Sequence, residues 1–285
     1  MPNFNDCLLQ HTLQCMEIWG GSDKVEKSVS TPGLDLWVCS RPYRQAGAGG
    51  DVHYVSLCGG GVITRFILAD VAGHGAAVAD VARQLRALMR QNINNKRHDR
   101  LVRELNRQFT ELSGTGRFAT AVVGTYLATT CKLTIANAGH PRPLWFRAAT
   151  GAWSIVSGRD ASASAGPENL PLGIDGAAAY EQIELPLDEG DLLLFYTDAL
   201  VEAVDPRDQP LGEAGLLDLV SRIGHGAPER ASRDLIEGLD RYRGGRRAED
   251  DQTFLLLRHT GDGPRRMSVR EKIGVYARVF GLKRV

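Results

Sequence analysis

Residues 51–75 read DVHYVSLCGGGVITRFILADVAGHG and carry the clearest structural pattern in the chain. Two apolar runs, at 52–58 and 62–69, are separated by three glycines, which is the pattern of a β-hairpin with a glycine turn. Asp51 opens the first run and Asp70 closes the second. The stretch therefore predicts antiparallel strands with carboxylates at their ends.

Further strand-like and helical runs extend this pattern along the chain. Strands are predicted at 34–38, 118–127, 132–136, 143–147, 153–156, 180–185, 192–197 and 253–257. Helical spacing of apolar residues predicts helices at 7–19, 76–89, 101–112, 212–223 and 228–242, and the Ser-, Ala- and Gly-rich residues 158–169 predict a loop. Because helices come in pairs and not after every strand, we expect an α+β fold with two mainly antiparallel sheets face to face and helix pairs outside.

Composition and charge set limits on the class of protein. The chain has 285 residues, of which 43% are hydrophobic and 24% charged, and this is a globular composition. Its formal net charge of zero argues against nucleic acid as a partner. That zero conceals an asymmetry, since residues 265–285 carry seven basic residues and one acid. We expect three parts: an N-terminal helix and linker at 1–33, a main domain at 34–260, and a basic amphipathic tail at 261–285.

Cysteine usage and hydropathy predict the compartment. The five cysteines are odd in number, scattered, and never in a CxxC pair, which argues against a disulfide framework and a zinc ribbon. No run approaches the length needed to span a bilayer, and the N-terminus lacks a basic region followed by an apolar stretch. We therefore expect a soluble, cytoplasmic protein without a transmembrane segment.

Aspartates at strand ends are the candidate functional residues. Besides Asp51 and Asp70, Asp198 closes the run 192–197, and Asp250 and Asp251 precede the last strand. A turn or cap explains any one of them, but four such sites favour a cluster if the strand ends converge. Carboxylate clusters are hard oxygen ligands, which suit magnesium or manganese better than zinc.

Motifs for competing chemistry are missing from the sequence. There is no GxxxxGK[ST] and no GxSxG, and residues 47–50 fail the GxGxxG spacing. A carboxylate-held pair of metals would instead acidify a bound water and clamp the oxygens of a phosphoryl group.

Seven short motifs occur in an order and spacing that resemble a known family. They are Gly49-Gly50-Asp51, Ala69-Asp70-Val71-Ala72-Gly73-His74-Gly75, Phe118-Ala119-Thr120, Asn137-Ala138-Gly139-His140-Pro141, Leu170-Pro171-Leu172-Gly173, Tyr196-Thr197-Asp198-Ala199-Leu200 and Asp250-Asp251-Gln252-Thr253. The chain resembles the SpoIIE/RsbU-like branch of the metal-dependent protein phosphatases (PPM) over residues 34–258. The resemblance implies a four-layer α-β-β-α sandwich with two Mg²⁺ or Mn²⁺ ions that hydrolyses phosphoserine or phosphothreonine on a protein.

The resemblance also implies roles for individual residues. Asp70 would bridge the two ions, Val71 would contribute its backbone carbonyl, and Asp198 and Asp250 would complete the shell of the second ion. Asp51 would reach its ion directly or through water. Asp251 more often matches a neighbouring position than the ligand, so Asp250 is preferred over it.

Histidines depart from the pattern of the better-known eukaryotic members, which read DGHG where this chain has Ala72. His74 is therefore a candidate for substrate contact or a helix-start residue, and it does not simply inherit a general-acid role. His53 is interpreted as a half-buried strand residue that could reach the metal edge. His140 is interpreted as a turn residue rather than a ligand, and Arg142 as a solvated side chain rather than a phosphate contact.

The function expected from this resemblance is that of a phosphoric monoester hydrolase in partner-switching signalling. Its substrate would be a phosphorylated regulatory protein, such as an anti-sigma-factor antagonist. Two alternatives stay open: a non-catalytic module that binds a phosphoregulator, and a metal-dependent hydrolase of small phosphate esters. For the basic tail, a docked C-terminal helix stands beside contact with a partner, a second copy or a membrane surface.

Overall fold

The computed structural model describes residues 11–43, 48–58, 60–72, 76–93, 95, 97–113, 118–158, 169–224 and 226–263. Its strands are β1 (His11–Thr12), β2 (Ile18–Asp23), β3 (Val25–Thr31), β4 (Leu34–Arg41), β5 (Ala48–Cys58), β6 (Ile63–Val71), β7 (Ala119–Leu127), β8 (Lys132–Ala138), β9 (Leu144–Arg147), β10 (Ala152–Ile155), β11 (Ile183–Pro186), β12 (Leu192–Tyr196) and β13 (Gln252–His259). Its helices are α1 (Ala76–Gln91), α2 (His98–Ser113), α3 (Gly212–Ser221) and α4 (Pro228–Arg243), and a 3₁₀ turn spans Asp198–Leu200.

These strands form two sheets. The seven-stranded sheet has the order β1-β3-β4-β13-β12-β9-β10, and the six-stranded sheet has the order β11-β8-β7-β6-β5-β2. Among the described strands every pair is antiparallel except β1 with β3. The hairpin predicted from the glycine turn is β5–β6, in which Cys58 pairs with Ile63 at the turn and Asp51 pairs with Asp70 at the open end.

Three apolar layers separate four layers of secondary structure. Helices α1 and α2 pack on the outer face of the six-stranded sheet, the two sheets pack face to face, and α3 and α4 cover the seven-stranded sheet. Strand β6 shows the cause, because Ile67 and Ala69 enter the helix-side core while Phe66 and Leu68 enter the core between the sheets. The predicted α-β-β-α sandwich is confirmed.

A glycine permits the close approach of the sheets at their centre. Gly124 of β7 pairs with Phe66 of β6, and the Phe66 ring lies over the glycine. A Cβ at residue 124 would overlap that ring. The ring is thereby directed at Phe195 of β12 in the opposite sheet, with centroids 4.7 Å apart.

The N-terminal segment differs from its prediction. The described part of the predicted helix at 7–19 contains β1 and the start of β2, and β2 pairs with β5 at the edge of the six-stranded sheet. Met16 has φ +71°, a left-handed conformation that ends any helix there. The polar residues predicted as a linker belong largely to β2 and β3, so this segment contributes β1 and β3 to the seven-stranded sheet and β2 to the six-stranded sheet. The division at residues 33 and 260 stays a prediction.

Two buried charged or titratable side chains stabilise the helix-side layer. Arg65 of β6 is 1% exposed, and its guanidinium donates to the backbone carbonyls of Asn92, Ile93 and Asn95 where α1 ends. Such donors satisfy carbonyls that a helix terminus leaves unpaired. His98 at the start of α2 contacts the Thr125 hydroxyl through Nδ1 at 2.8 Å, and burial lowers its pKa to about 3.

Three regions singled out from the sequence lie outside the described residues: His74, residues 159–168 of the predicted loop, and the tail beyond Gly263. Within the described chain, no helix combines the length and apolar character that crossing a membrane requires.

Candidate functional site

One end of the sandwich carries the aspartates that the sequence singled out. Asp51 and Asp70 are direct partners across β5 and β6, and Asp70 also pairs with Thr120 of β7. In the opposite sheet, β12 ends at Tyr196 and its antiparallel neighbour β13 starts at Gln252, so Asp198 and Asp250 lie at the same end. We call this end, with Asp51, Asp70, Asp198, Asp250 and Asp251, the acidic edge.

Asp51 is the most deeply buried of the five carboxylates, with an exposure of 3%. The Thr197 hydroxyl, from the opposite sheet, donates to its Oδ2 at 2.9 Å. Burial raises the pKa of Asp51 well above its usual range, and the Asp70 and Asp251 carboxylates raise it further, while the Thr253 and Thr197 hydroxyls lower it. The hydroxyls are thus the neutral donors that stabilise an anion in this position.

Asp251 binds the backbone on both sides of the start of β5. Its carboxylate accepts hydrogen bonds from the backbone N–H groups of Tyr43 and Gly50. A Cβ at Gly50 would lie 3.3 Å from Asp251 Oδ2, 3.6 Å from the Val71 carbonyl oxygen and 3.8 Å from Asp70 Oδ1. Three oxygen donors therefore surround the space beside Gly50, and a side chain there would crowd them.

Asp198 and Asp250 form the other half of the acidic edge. Burial raises the pKa of Asp198, and the Asp250 carboxylate raises it further. Glu202 belongs to the same group, because its pKa is raised by burial and then by Asp198 and Asp250. A cavity of about 70 Å³ beside these acids is lined by both Glu202 and Asp250, and also by Arg247.

The pKa of Asp70 is affected by carboxylates from both halves of the acidic edge. Burial raises its pKa to about 6, and Asp198, Asp250, Asp251 and Glu202 each raise it further. The leading causes of the pKa shifts at Asp51, Asp70, Asp198 and Glu202 are burial and neighbouring carboxylates or hydrogen bonds, and none of them is a basic side chain. Like charges this close destabilise one another unless a cation is bound.

The donor set at the acidic edge fits hard divalent cations. The donors are carboxylates and the Val71 carbonyl, which suit Mg²⁺ or Mn²⁺. In the described chain, no three acidic, histidine or cysteine side chains already converge closely enough to enclose one ion. The fit therefore rests on the oxygen chemistry, the cradle beside Gly50 and the uncompensated negative charge.

Two buried histidines, His53 and His140, make no hydrogen bond to the carboxylates of the acidic edge. His53 is 2% exposed rather than half-buried, and its ring packs against Trp19 at a centroid distance of 5.7 Å. His140 has the predicted turn role, since Asn137 Oδ1 accepts from its backbone N–H at 2.7 Å. Its Nδ1 also lies 3.0 Å from the Thr120 hydroxyl. Burial lowers the pKa of His53 to about 4 and that of His140 to about 3.

Arg142 is paired with a carboxylate of α3. Its guanidinium donates to both Glu213 carboxylate oxygens, and half of the Arg142 side chain is exposed. The arginine is thus a half-exposed surface side chain, in agreement with its interpretation as a solvated residue, and it forms an ion pair with Glu213.

Sequence reasoning missed two residues of the acidic edge. Thr197 directly precedes Asp198, and Glu202 follows it by four residues in a helical turn, where the Glu202 N–H donates to the Asp198 carbonyl at 2.9 Å. The four-residue spacing was the available signal for Glu202, because it places two side chains on one face of a turn. Nothing in the sequence alone indicates that Thr197 contacts Asp51.

Comparison with known proteins identifies the class. The four-layer sandwich with carboxylates at one edge is the PP2C-type fold of the PPM phosphatases. The family model described as Stage II sporulation protein E (SpoIIE) matches residues 61–260, and the chain belongs to this family.

Similar solved structures support the same assignment. The RsbU and RsbW domains of Rv1364c from Mycobacterium tuberculosis are 25% identical, with a TM-score of 0.66 over 92% of this chain and 71% of that one. The phosphatase domain and regulatory fragment of SpoIIE from Bacillus subtilis are 17% identical, with a TM-score of 0.66 over 80% of this chain and 62% of that one. RsbX in complex with magnesium is 14% identical, with a TM-score of 0.58 over 82% and 99%. The last two similarities concern the fold alone.

Proposed function

We propose that this protein hydrolyses phosphoserine or phosphothreonine on a regulatory protein, with two Mn²⁺ or Mg²⁺ ions at the acidic edge. The observation that supports the proposal is the location of five aspartates from both sheets at one end of a PP2C-type sandwich, where neighbouring carboxylates raise the pKa values of Asp51, Asp70 and Asp198. Carboxylates kept together at an electrostatic cost are typical of functional sites.

The carboxylates divide into two sets that share Asp70. The Asp70 and Asp251 carboxylates raise the pKa of Asp51, whereas the Asp250 carboxylate raises the pKa of Asp198. The pKa of Asp70 is raised by carboxylates of both sets. This division supports one ion held by Asp51, Asp70 and the Val71 carbonyl, and a second held by Asp70, Asp198 and Asp250.

Asp251 takes a different part in the proposal. Its carboxylate receives two backbone N–H groups, so it fixes the segment that leads into Asp51. Its Oδ2 also faces the cradle beside Gly50. We therefore place Asp251 on the Asp51 side as a supporting carboxylate, and keep Asp250 as the ligand of the second ion.

Divalent ions, when bound, supply Lewis acidity that lowers the pKa of water and neutralises phosphoryl oxygens. The residues of the chain hold and orient the ions and keep the surrounding strands fixed. His53 and His140 do not supply a proton to the departing serine or threonine oxygen, because both rings are buried and their pKa values of about 4 and about 3 keep them neutral at pH 7. His74, outside the described residues, stays a candidate for substrate contact.

A protein substrate is proposed from the family and its relatives. The similar structure from M. tuberculosis contains RsbU and RsbW domains in one chain, which favours a phosphorylated regulator over a free metabolite. The partner-switching role and an anti-sigma-factor antagonist as substrate belong to this proposal.

The test compares phosphate release in Mn²⁺ from a phosphoserine peptide, a phosphorylated antagonist-type protein and p-nitrophenyl phosphate. Asp70→Asn and Asp198→Asn should each lower turnover by at least about 100-fold, equivalent to about 3 kcal/mol of barrier. Asp218→Asn, which removes an exposed acid paired with Arg222 on α3, is the matched control and should retain activity. Full turnover in both site variants would refute the mechanism. Mn²⁺ binding without turnover would favour the binding module, and turnover of small esters alone would favour the small-ester hydrolase.

A further inference from the structure

A buried hydrogen bond at the acidic edge joins the two sheets. Thr197 follows β12 of the seven-stranded sheet and is 0% exposed. Its hydroxyl donates to Oδ2 of Asp51, which belongs to β5 of the six-stranded sheet, at 2.9 Å. A hydrogen bond to a carboxylate from a fully buried donor is stronger and more directional than one between neutral groups.

Neighbouring groups fix the position of the Thr197 hydroxyl. The backbone N–H of Thr253 donates to Thr197 Oγ1 at 3.1 Å, which leaves the hydroxyl proton for an acceptor. Two acceptors lie in range, the Thr253 carbonyl at 3.2 Å and Asp51 Oδ2 at 2.9 Å. The carboxylate is the closer and the charged one, so the proton is directed at Asp51.

The same chain of contacts extends away from the acidic edge. Thr253 Oγ1 lies 2.9 Å from Ser40 Oγ of β4, and both residues are buried. Ser40 therefore shares the burial and hydrogen bonding of this cluster but makes no hydrogen bond to Asp51. It offers a matched control, because its removal disturbs the same buried cluster one step further from the carboxylate.

We propose that Thr197 is a positioning residue that sets the orientation of the Asp51 carboxylate for divalent-ion binding. The inference rests on the proposed function, since it takes Asp51 as a ligand. Through this hydroxyl, one sheet orients a ligand of the other, so that ion affinity depends on the correct packing of the two sheets. Groups that orient a metal ligand in this way commonly affect affinity by 10- to 100-fold.

The test is Mn²⁺ titration by calorimetry on the full chain, with no substrate present. Thr197→Val keeps the side-chain shape and removes the hydroxyl, and it should weaken Mn²⁺ affinity by about 10- to 100-fold. Thr197→Ser retains the hydroxyl and should stay within about threefold of the wild type, as should Ser40→Ala. In an Asp51→Asn background, Thr197→Val should cause no further loss, because the oriented carboxylate is already gone.

The result that overturns the inference is unchanged Mn²⁺ affinity in Thr197→Val, or an equal loss in Thr197→Val and Ser40→Ala, which would indicate general disruption of the core. Circular dichroism establishes that each variant is folded. If Thr197→Val does not fold, the Mn²⁺ affinities of Thr197→Ala and Thr197→Ser are compared instead, because these two variants also differ in the hydroxyl. Failure of the proposed function is distinguishable, because the wild type would then bind no Mn²⁺, or Asp70→Asn would bind it as the wild type does.

Discussion

Replacing Asp70 with asparagine should stabilise the metal-free protein while abolishing ion binding. In the metal-free fold the pKa of Asp70 is raised from 3.8 to about 6, first by burial and then by the surrounding carboxylates. A rise of about two units in the pKa of this carboxyl group corresponds to about 3 kcal/mol of destabilisation of the folded protein at pH 7. Because the Asp70 side chain is only partly buried, solvent screening reduces the expected gain to about 1–2 kcal/mol.

The pH dependence of this gain has a defined sign. Between about pH 4 and pH 6 the folded protein binds a proton at Asp70 that the unfolded chain has lost, so the stability of the wild type rises as pH falls through this window. Asparagine has no such proton. The advantage of Asp70→Asn should therefore be largest at pH 7 and shrink towards pH 4.

Urea unfolding in EDTA at pH 7 and pH 5 measures both effects. Asp191→Asn is the matched control, because Asp191 is 1% exposed and its carboxylate accepts from Trp145 Nε1 and from the backbone N–H groups of Ala148 and Asp188. Its loss should destabilise by about 1–3 kcal/mol. Lower stability of Asp70→Asn than of the wild type at pH 7, or a difference that does not shrink at pH 5, would refute the electrostatic reasoning.

Three further predictions concern the fold around the site. Arg65→Met should cost about 2–4 kcal/mol in urea unfolding, because it removes the guanidinium donor from the Ile93 and Asn95 carbonyls that follow α1, whereas the exposed Arg100→Met should change stability by less than about 0.5 kcal/mol. Gly124→Ala should cost about 1–3 kcal/mol by overlap with the Phe66 ring, and adding Phe66→Leu should recover part of the loss; equal stability of Gly124→Ala and wild type would contradict the packing described. His98→Gln should make the free energy of unfolding less dependent on pH. In the folded protein the buried His98 ring has a pKa of about 3, whereas in the unfolded chain it takes up a proton near pH 6.5, so acid favours the unfolded state of the wild type. Between pH 7.5 and pH 5.5 the wild type should therefore lose about 1 kcal/mol more of its free energy of unfolding than the variant.

The spacing of apolar residues along the sequence predicted most of the fold, because this spacing is clear in the β5–β6 hairpin and in helices α1 to α4. The glycine turn at residues 59–61 and the alternation in β6 lead directly to the β5–β6 pair. The helix predicted at 7–19 is wrong in its described part because pairing of Trp19 with Val55 at the sheet edge overrides its helical spacing. Strand β3 escaped prediction because the two-residue strand β1 covers it only at Val29 and Ser30, so its other end is open to solvent and permits the polar residues Glu26 and Lys27.

The acidic edge was predictable only in part, for a physical reason. Asp51, Asp70, Asp198 and Asp250 each interrupt the boundary of an apolar run, so each is visible in the sequence. Contacts between sheets are different, because they depend on which strand ends meet in space. The donation from Thr197 to Asp51 joins residues 146 positions apart, and no local pattern indicates it.

Two kinds of buried aspartate in this fold show how a structural carboxylate differs from one retained for ion binding. Asp191 is surrounded by N–H donors, so its charge stabilises the strands that supply them. Asp51 and Asp70 face other carboxylates, and hydroxyls from the opposite sheet offset only part of the cost. A sequence selected for stability alone would replace the second kind with neutral residues. The arrangement therefore makes physical sense if a cation completes it, and the folded sandwich then serves to hold repelling ligands at the spacing that the cation requires.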